Sequence, residues 1–284
     1  VKTVDNCQIM WQNVSIGEIM FDKLLNAGRF ILKALLVLTI VGSGHLIHQS
    51  FMRHYIGKNS VMLYGPEGGG GSGFFVKAPS GKKYILTNRH VCGLHKNGYM
   101  EVYLKDQIRL MRKKIAHVYK DHDLCLIEAP IGPSGLNIAT FNPFAGIIAI
   151  IGHPKLRPLI VATGQHIGFK TIELITAINV KPDQCDGRII DLDKKSIKNQ
   201  IIPDTVYLKD VTSPQPNMFT LRNICLKSYY SSALHAYSRG GSSGSPVVNF
   251  FGQVVAVLFA GHRGDQFESY AVPLADIKEF LKNK

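Results

Sequence analysis

Three short segments carry residue types that could act together as a nucleophile, a base and the partner of that base. The first is Gly241-Ser-Ser-Gly-Ser-Pro246. A serine hydroxyl attacks a carbonyl only when it is exposed at a constrained turn beside a base, with backbone donors free to receive the oxyanion. Gly241 and Gly244 flank Ser243 at two before and one after, which lets such a turn form without Cβ clashes. The amides of Gly241 and Ser243 could then point into one hole. Ser242 and Ser245 compete as nucleophiles, but only Ser243 has this spacing. Alone, a Gly/Ser-rich hexapeptide is equally an ordinary loop or a phosphate-binding turn.

The second segment is Tyr84-Ile-Leu-Thr-Asn-Arg-His-Val-Cys92, an apolar strand running into a histidine. A rigid strand end is where a general base has to be held. Ten other histidines exist, and His90 stands apart because Gly71-Ser-Gly-Phe-Phe-Val precedes it as the partner strand of a hairpin. The third segment is Asp121-His-Asp-Leu-Cys-Leu-Ile127. An aspartate directly before an apolar strand can be buried at the strand mouth, where it orients a base and stabilises its cation. Asp123 abuts the buried run and is preferred to Asp121. Either one, alone, also reads as a turn residue capping a strand.

These groups need a scaffold. From Ser60 onward, short apolar runs alternate with turn residues: Val61 to Tyr64, Phe74 to Val76, Tyr84 to Thr87, Tyr99 to Leu104, Leu124 to Ile127 and Gly146 to Ile151. Leu159 to Thr163, Thr171 to Val180, Ser245 to Asn249 and Gln253 to Ala260 continue the pattern. Many short strands with frequent turns predict an all-β barrel or sandwich rather than a parallel α/β sheet. Lys181 to Leu221 is polar and irregular, and reads as a long insertion or loop set. At the end, Leu274, Ile277, Phe280 and Leu281 repeat at helical spacing behind Pro273, predicting a terminal helix.

Composition limits the partners. The chain has 284 residues, 45% of them hydrophobic, and a formal charge of +13. The densest basic run, Arg109 to Lys120, is interrupted by Leu110, Met111, Ile115, Ala116 and Val118, so it reads as a half-buried strand with a solvated basic face. No aromatic stacking series accompanies the basic residues, which argues against nucleic acid as a partner. The five cysteines form no CxxC pair and keep no finger-like spacing to histidine, so no metal site is expected. Their odd number leaves at least one thiol without a partner in the chain. Before the strands, the largely apolar run Phe30 to Ile47 contains only Lys33 and His45 as chargeable groups. It is read first as a membrane anchor, with a cleaved signal or a core helix as alternatives. Lys23, Arg29 and Lys33 precede the core of this run, a bias that would place the strand-rich region outside the cytoplasm.

His90, Asp123 and Ser243 occur in that order, 33 and 120 residues apart, unlike the orders of subtilisin and of the α/β-hydrolases. Here the sequence resembles the trypsin-like peptidases, nearest the bacterial HtrA/DegP-like branch. GSGFFV…ILTNRHV, DHDLCLI, IGHP and GSSGSPVVNFFGQVVAVLFAG match that family's successive landmarks, and AVPLADIKEFL its closing strand and helix.

The resemblance implies two antiparallel six-stranded barrels of the chymotrypsin kind, at about 60–135 and 140–272, with a helix at 273–283. The segment 1–59 would hold the membrane helix, and the peptidase domain would span 60–284. It also implies a serine endopeptidase working on protein or peptide substrates without a cofactor. His90, Asp123 and Ser243 would be the triad, and the amides of Gly241 and Ser243 the oxyanion hole. Phe259, Ala260 and Gly261 would pair with substrate, Tyr237 would lie near the pocket floor, and His262 is a further pocket candidate. No acidic residue lies between Ser228 and Ser243, so a small-to-medium apolar P1 residue is expected rather than Lys or Arg. Other readings stay open: an RNA-virus protease that processes a polyprotein, which a start at Val1 permits, a silent protease fold used for binding, or an RNA-binding relative.

Overall fold

The apolar runs after Ser60 fold into two β-sheets with buried material on both sides of the strands that matter. The computed structural model describes residues 50–65, 69–93, 98–104, 107–119, 121–141, 146–179, 181–191, 205–207, 223–261 and 267–284. The first sheet comprises β1 (Ser60–Tyr64), β2 (Gly70–Lys77), β3 (Lys83–Thr87), β4 (Tyr99–Leu104), β5 (Gln107–Tyr119) and β6 (Leu124–Glu128). These strands pair in the order β1-β2-β3-β6-β5-β4 and close into a barrel.

Alternate residues fill its interior: Val61 and Leu63, Phe75, Ile85, Met100 and Val102, Cys125 and Ile127. The residues between them, such as Phe74, Val76, Leu86, Leu124 and Leu126, point outward and are buried as well, in a core shared with the second sheet and the C-terminal helix. Strands covered on both faces have no polar side to show. That is why β2, β3 and β6 read as continuous apolar runs.

The second sheet holds β7 (Gly146–Gly152), β8 (Ile160–Ile178), β9 (Arg188–Asp191), β10 (Thr205–Tyr207), β11 (Asn223–His235), β12 (Pro246–Asn249), β13 (Val254–Gly261) and β14 (Glu268–Pro273). Their order is β10-β8-β7-β12-β13-β14-β11-β9, with β8 also paired to β11. The sheet thus has eight strands where six were expected. The two extra strands come from the 181–221 stretch: β9 lies antiparallel on β11 and β10 parallel on β8. A disulfide from Cys185 to Cys225 fastens the start of that stretch to β11. The predicted strands at Leu159 to Thr163 and Thr171 to Val180 are one strand, β8. Gly168 at φ +132° and a register shift opposite it, between Ala233 and Leu234, let the long strand bend instead of ending.

The C-terminal helix runs from Leu274 to Lys282 with Pro273 as its N-cap, and it buries Leu274, Ile277, Phe280 and Leu281, the four residues picked out by their spacing. Phe280 stacks on Tyr119 with ring centroids 5.1 Å apart. Asp276 Oδ2 lies 2.9 Å from His122 Nδ1. The helix therefore seats on the turn between β5 and β6, next to Asp123. The expected membrane helix at Phe30 to Ile47 lies outside the described residues, as does Cys7. Among the described residues no helix is long and apolar enough to cross a membrane.

Candidate active site

β3 ends at Thr87, and Asn88 leads into a helical turn, Arg89–Cys92. His90 thus sits in the first turn after the strand rather than on its last residue. That turn aims both its backbone and its ring at Asp123. The His90 amide donates to Asp123 Oδ1 at 2.9 Å, and His90 Nδ1 lies 2.6 Å from Asp123 Oδ2. The Asn88 side-chain amide donates to the Asp123 carbonyl at 2.9 Å. Asp123 is 5% exposed. A buried carboxylate at Nδ1 selects the tautomer with its proton there, which leaves Nε2 as the basic nitrogen. Asp121, the rival, is exposed.

The same two arms are joined again two residues further on. Cys92 and Cys125 form a disulfide inside the barrel. On the other side of the pair, Tyr229 of β11 is buried against the site. Burial, and then the charge of Asp123, push its phenol up to about 12.

Ser243 lies in a turn between β11 and β12. Ser242 N–H donates to Arg239 O at 2.9 Å, Gly244 N–H to Leu258 O at 2.8 Å and Ser245 N–H to Ser242 O at 3.0 Å. Among the described residues the amides of Gly241 and Ser243 donate to no such carbonyl. Gly241 and Gly244 have φ +89° and +85°. A Cβ at Gly244 would lie 2.0 Å from Ser72 O, and one at Gly241 2.8 Å from His153 O. Both positions need glycine for space as well as for conformation.

The turn is tied to the barrel that carries His90. Ser72 N–H in β2 donates to Ser243 O at 2.7 Å, and Thr87 Oγ1 donates to Ser72 O at 2.7 Å. The Ser243 hydroxyl donates to Phe259 O at 3.4 Å, a long contact for two oxygens. The competing serines are enclosed: Ser242 is 5% exposed and Ser245 fully buried.

Of the other residues singled out by sequence, Phe259, Ala260 and Gly261 end β13 beside the serine turn, with Phe259 buried and Gly261 partly open. Tyr237 is half-buried, with the Arg239 guanidinium 5.2 Å above its ring and Phe267 edge-on at 6.2 Å. His262 lies outside the described residues. Sequence reasoning missed Ser238 and Ser269, whose hydroxyls are 2.7 Å apart behind Gly261. A Cβ on Gly261 would lie 2.5 Å from Ser238 Oγ. Nothing in YSRG or ESYAV marks either serine. Asp186 in the 181–221 stretch approaches the histidine turn as well, 2.9 Å from Lys227 Nζ and 3.8 Å from the Arg89 guanidinium. Among the described residues no group of three or more His, Cys, Asp or Glu is placed to hold a metal ion.

This fold has known counterparts. The family model of the trypsin-like peptidase domain matches residues 71–257, well over half of the chain. The chain belongs to the trypsin-like peptidase family. Among solved structures it is similar to the Rv3671c protease of M. tuberculosis. The active form has a TM-score of 0.53 at 16% identity, covering 80% of this chain and 81% of that one. The inactive form gives 0.52 at 15%, covering 84% and 94%. An inactive serine-to-alanine mutant of the same protease gives 0.52 at 15%, covering 82% and 89%. At these identities the likeness is one of fold. No curated protein matches the chain at a significant level.

Proposed function

We propose that this protein is a serine endopeptidase that cleaves peptide bonds through an acyl-enzyme. The observation that carries the reading is the doubly bonded His90–Asp123 pair in a barrel to which Ser72 ties the Ser243 turn, a turn in which the amides of Gly241 and Ser243 donate to no backbone carbonyl among the described residues. Asp123 holds Nδ1–H and stabilises the imidazolium. Nε2 takes the proton of the Ser243 hydroxyl as Oγ attacks the scissile carbonyl. The hydroxyl exchanges its long bond to Phe259 O for one to the imidazole at that step. The amides of Gly241 and Ser243 receive the oxyanion, the imidazolium protonates the leaving amine, and water then reverses the sequence to release the acyl group. The mechanism calls on no metal or organic cofactor.

Substrate backbone would pair along Phe259–Gly261, on the edge of β13 beyond its last ladder pair with β12, Pro246↔Val257. The absence of an acidic residue between Ser228 and Ser243 supports a small-to-medium apolar P1 residue. The experiment is turnover of a peptide library by the wild-type chain and by Ser243→Ala. The expected outcome is cleavage after small or medium apolar residues, with rates on the order of a thousandfold or more lower in the variant. Equal turnover by a folded Ser243→Ala protein rejects the mechanism. Dominant cleavage after Lys or Arg rejects the pocket assignment alone.

A further inference from the structure

We propose that Ser72 is a positioning residue for the oxyanion hole, acting through a hydroxyl that holds the backbone of Gly241; the inference rests on the peptidase reading above. Ser72 lies in β2, fully buried and 169 residues from Gly241 in sequence. Its Oγ is 2.8 Å from Gly241 O and 2.8 Å from His153 N. A backbone N–H can only donate, so His153 uses a lone pair of the hydroxyl, and the single hydroxyl proton goes to Gly241 O. The direction of both bonds is fixed.

The backbone of the same residue reaches the other side of the hole, where Ser72 N–H donates to Ser243 O at 2.7 Å. A second restraint acts on the preceding peptide. Lys155 N–H donates to Gly240 O at 2.6 Å. In a trans peptide the N–H points opposite to the C=O. Anchoring the Gly240 carbonyl on Lys155 therefore turns the Gly241 N–H the other way, while Ser72 anchors the carbonyl that follows. Glycine on both sides makes the Gly240–Gly241 peptide easy to flip, because no Cβ opposes the alternative backbone angles. A flip would replace the donor in the hole with an acceptor.

The turn that supplies these restraints is itself unusual. Lys155 and Leu156 are consecutive non-glycine residues at φ 55° and 54°, a conformation that persists only where its surroundings impose it. It is braced by His153 Nδ1 at 2.9 Å from Arg157 O and by Leu156 N–H donating to His153 O at 3.0 Å. Such bracing aims His153 N–H at Ser72 and Lys155 N–H at Gly240. The hydroxyl of Ser72 joins the two restraints into one network.

Ser72→Ala removes the hydroxyl and keeps the backbone bond to Ser243, so it loosens the hole without moving the nucleophile. The expected effect is a fall in kcat of about 10- to 100-fold, below the loss of a whole oxyanion donor, with KM changed less than about threefold. Affinity for a peptide aldehyde, whose adduct places an oxyanion in the hole, should fall in parallel. Ser72→Cys, close in volume but a poor donor, should show the same pattern and serves if the alanine variant is unstable. Wild-type kcat in both folded variants overturns the proposal. So does a raised KM at unchanged kcat, or a loss of kcat with undiminished aldehyde affinity. A wild-type chain with no turnover and no reaction with the aldehyde would instead reject the peptidase reading itself.

Discussion

The closed barrel ties its two candidate site residues together through a disulfide close to both, whereas the Ser243 turn of the second sheet has no disulfide within it and is held by hydrogen bonds. Cys92 and Cys125 join the two arms of the barrel two residues beyond His90 and Asp123, in the barrel interior. On the other side, the Ser243 turn depends on two left-handed glycines, on the Ser72 contacts and on ladder ends at Leu258. The distance between base and aspartate is thus part of the global fold. The Ser243 turn rests instead on a few hydrogen bonds that close over Gly241 and Gly244. In a protease this division has a chemical sense: the base pair serves every step of the cycle, while the oxyanion peptide is needed only when charge develops.

The two disulfides allow the comparison to be broken deliberately. Cys92–Cys125 closes a separation of 33 residues and Cys185–Cys225 one of 40. Chain entropy then assigns each about 3–4 kcal/mol, so removing either as a Cys-to-Ala pair should lower the unfolding free energy measured in urea by a similar amount. Activity should separate them. Loss of Cys92–Cys125 should cut kcat by about tenfold or more and change the pH profile of kcat/KM, because the His90–Asp123 geometry is freed. Loss of Cys185–Cys225 should leave kcat within about threefold. Equal kinetic effects from the two variants would show that the barrel bond has no particular hold on the pair.

A smaller effect comes from the second sheet alone. His166 in β8 is buried, and neither ring nitrogen has a hydrogen-bond partner among the described residues. Burial holds its imidazole below the ordinary 6.5. The unfolded chain accepts a proton as the pH drops through that value, and the folded chain does not. Stability that is fully present above 6.5 should therefore be lost as pH falls toward the lower folded value. His166→Leu should flatten the dependence of the unfolding midpoint on pH between about 7 and 5. A wild-type slope in that variant would assign the acid lability to other groups.

Much of the candidate site was legible because its residues interrupt strong patterns. His90 and Asp123 each adjoin a continuous apolar run, and Ser243 lies between glycines that a buried turn requires. The C-terminal helix was readable from four apolar residues at helical spacing. What escaped is made of single polar residues acting over long sequence separations. The hydroxyl of Ser72 reaches Gly241 across the whole domain, Ser238 meets Ser269 just beyond the paired end of β11 and β14, and Cys92 meets Cys125 only once the barrel has closed. β9 and β10 were hidden for another reason. They are edge additions to a sheet already formed, only four and three residues long, too short to display the apolar alternation by which strands are found in sequence. The continuous β8 was divided because glycines that normally punctuate a chain here form a bend within one strand.

The most direct test of the account is labelling with a fluorophosphonate, which reacts with a serine only where a base and an oxyanion hole activate it. Intact-mass and peptide mapping of the folded wild-type chain should find one adduct, on Ser243. Ser243→Ala should abolish it, and His90→Ala should slow its formation by at least about a hundredfold. An adduct on another serine, or none on folded wild-type protein, would contradict the assignment of Ser243 as a nucleophile activated by His90 and Asp123.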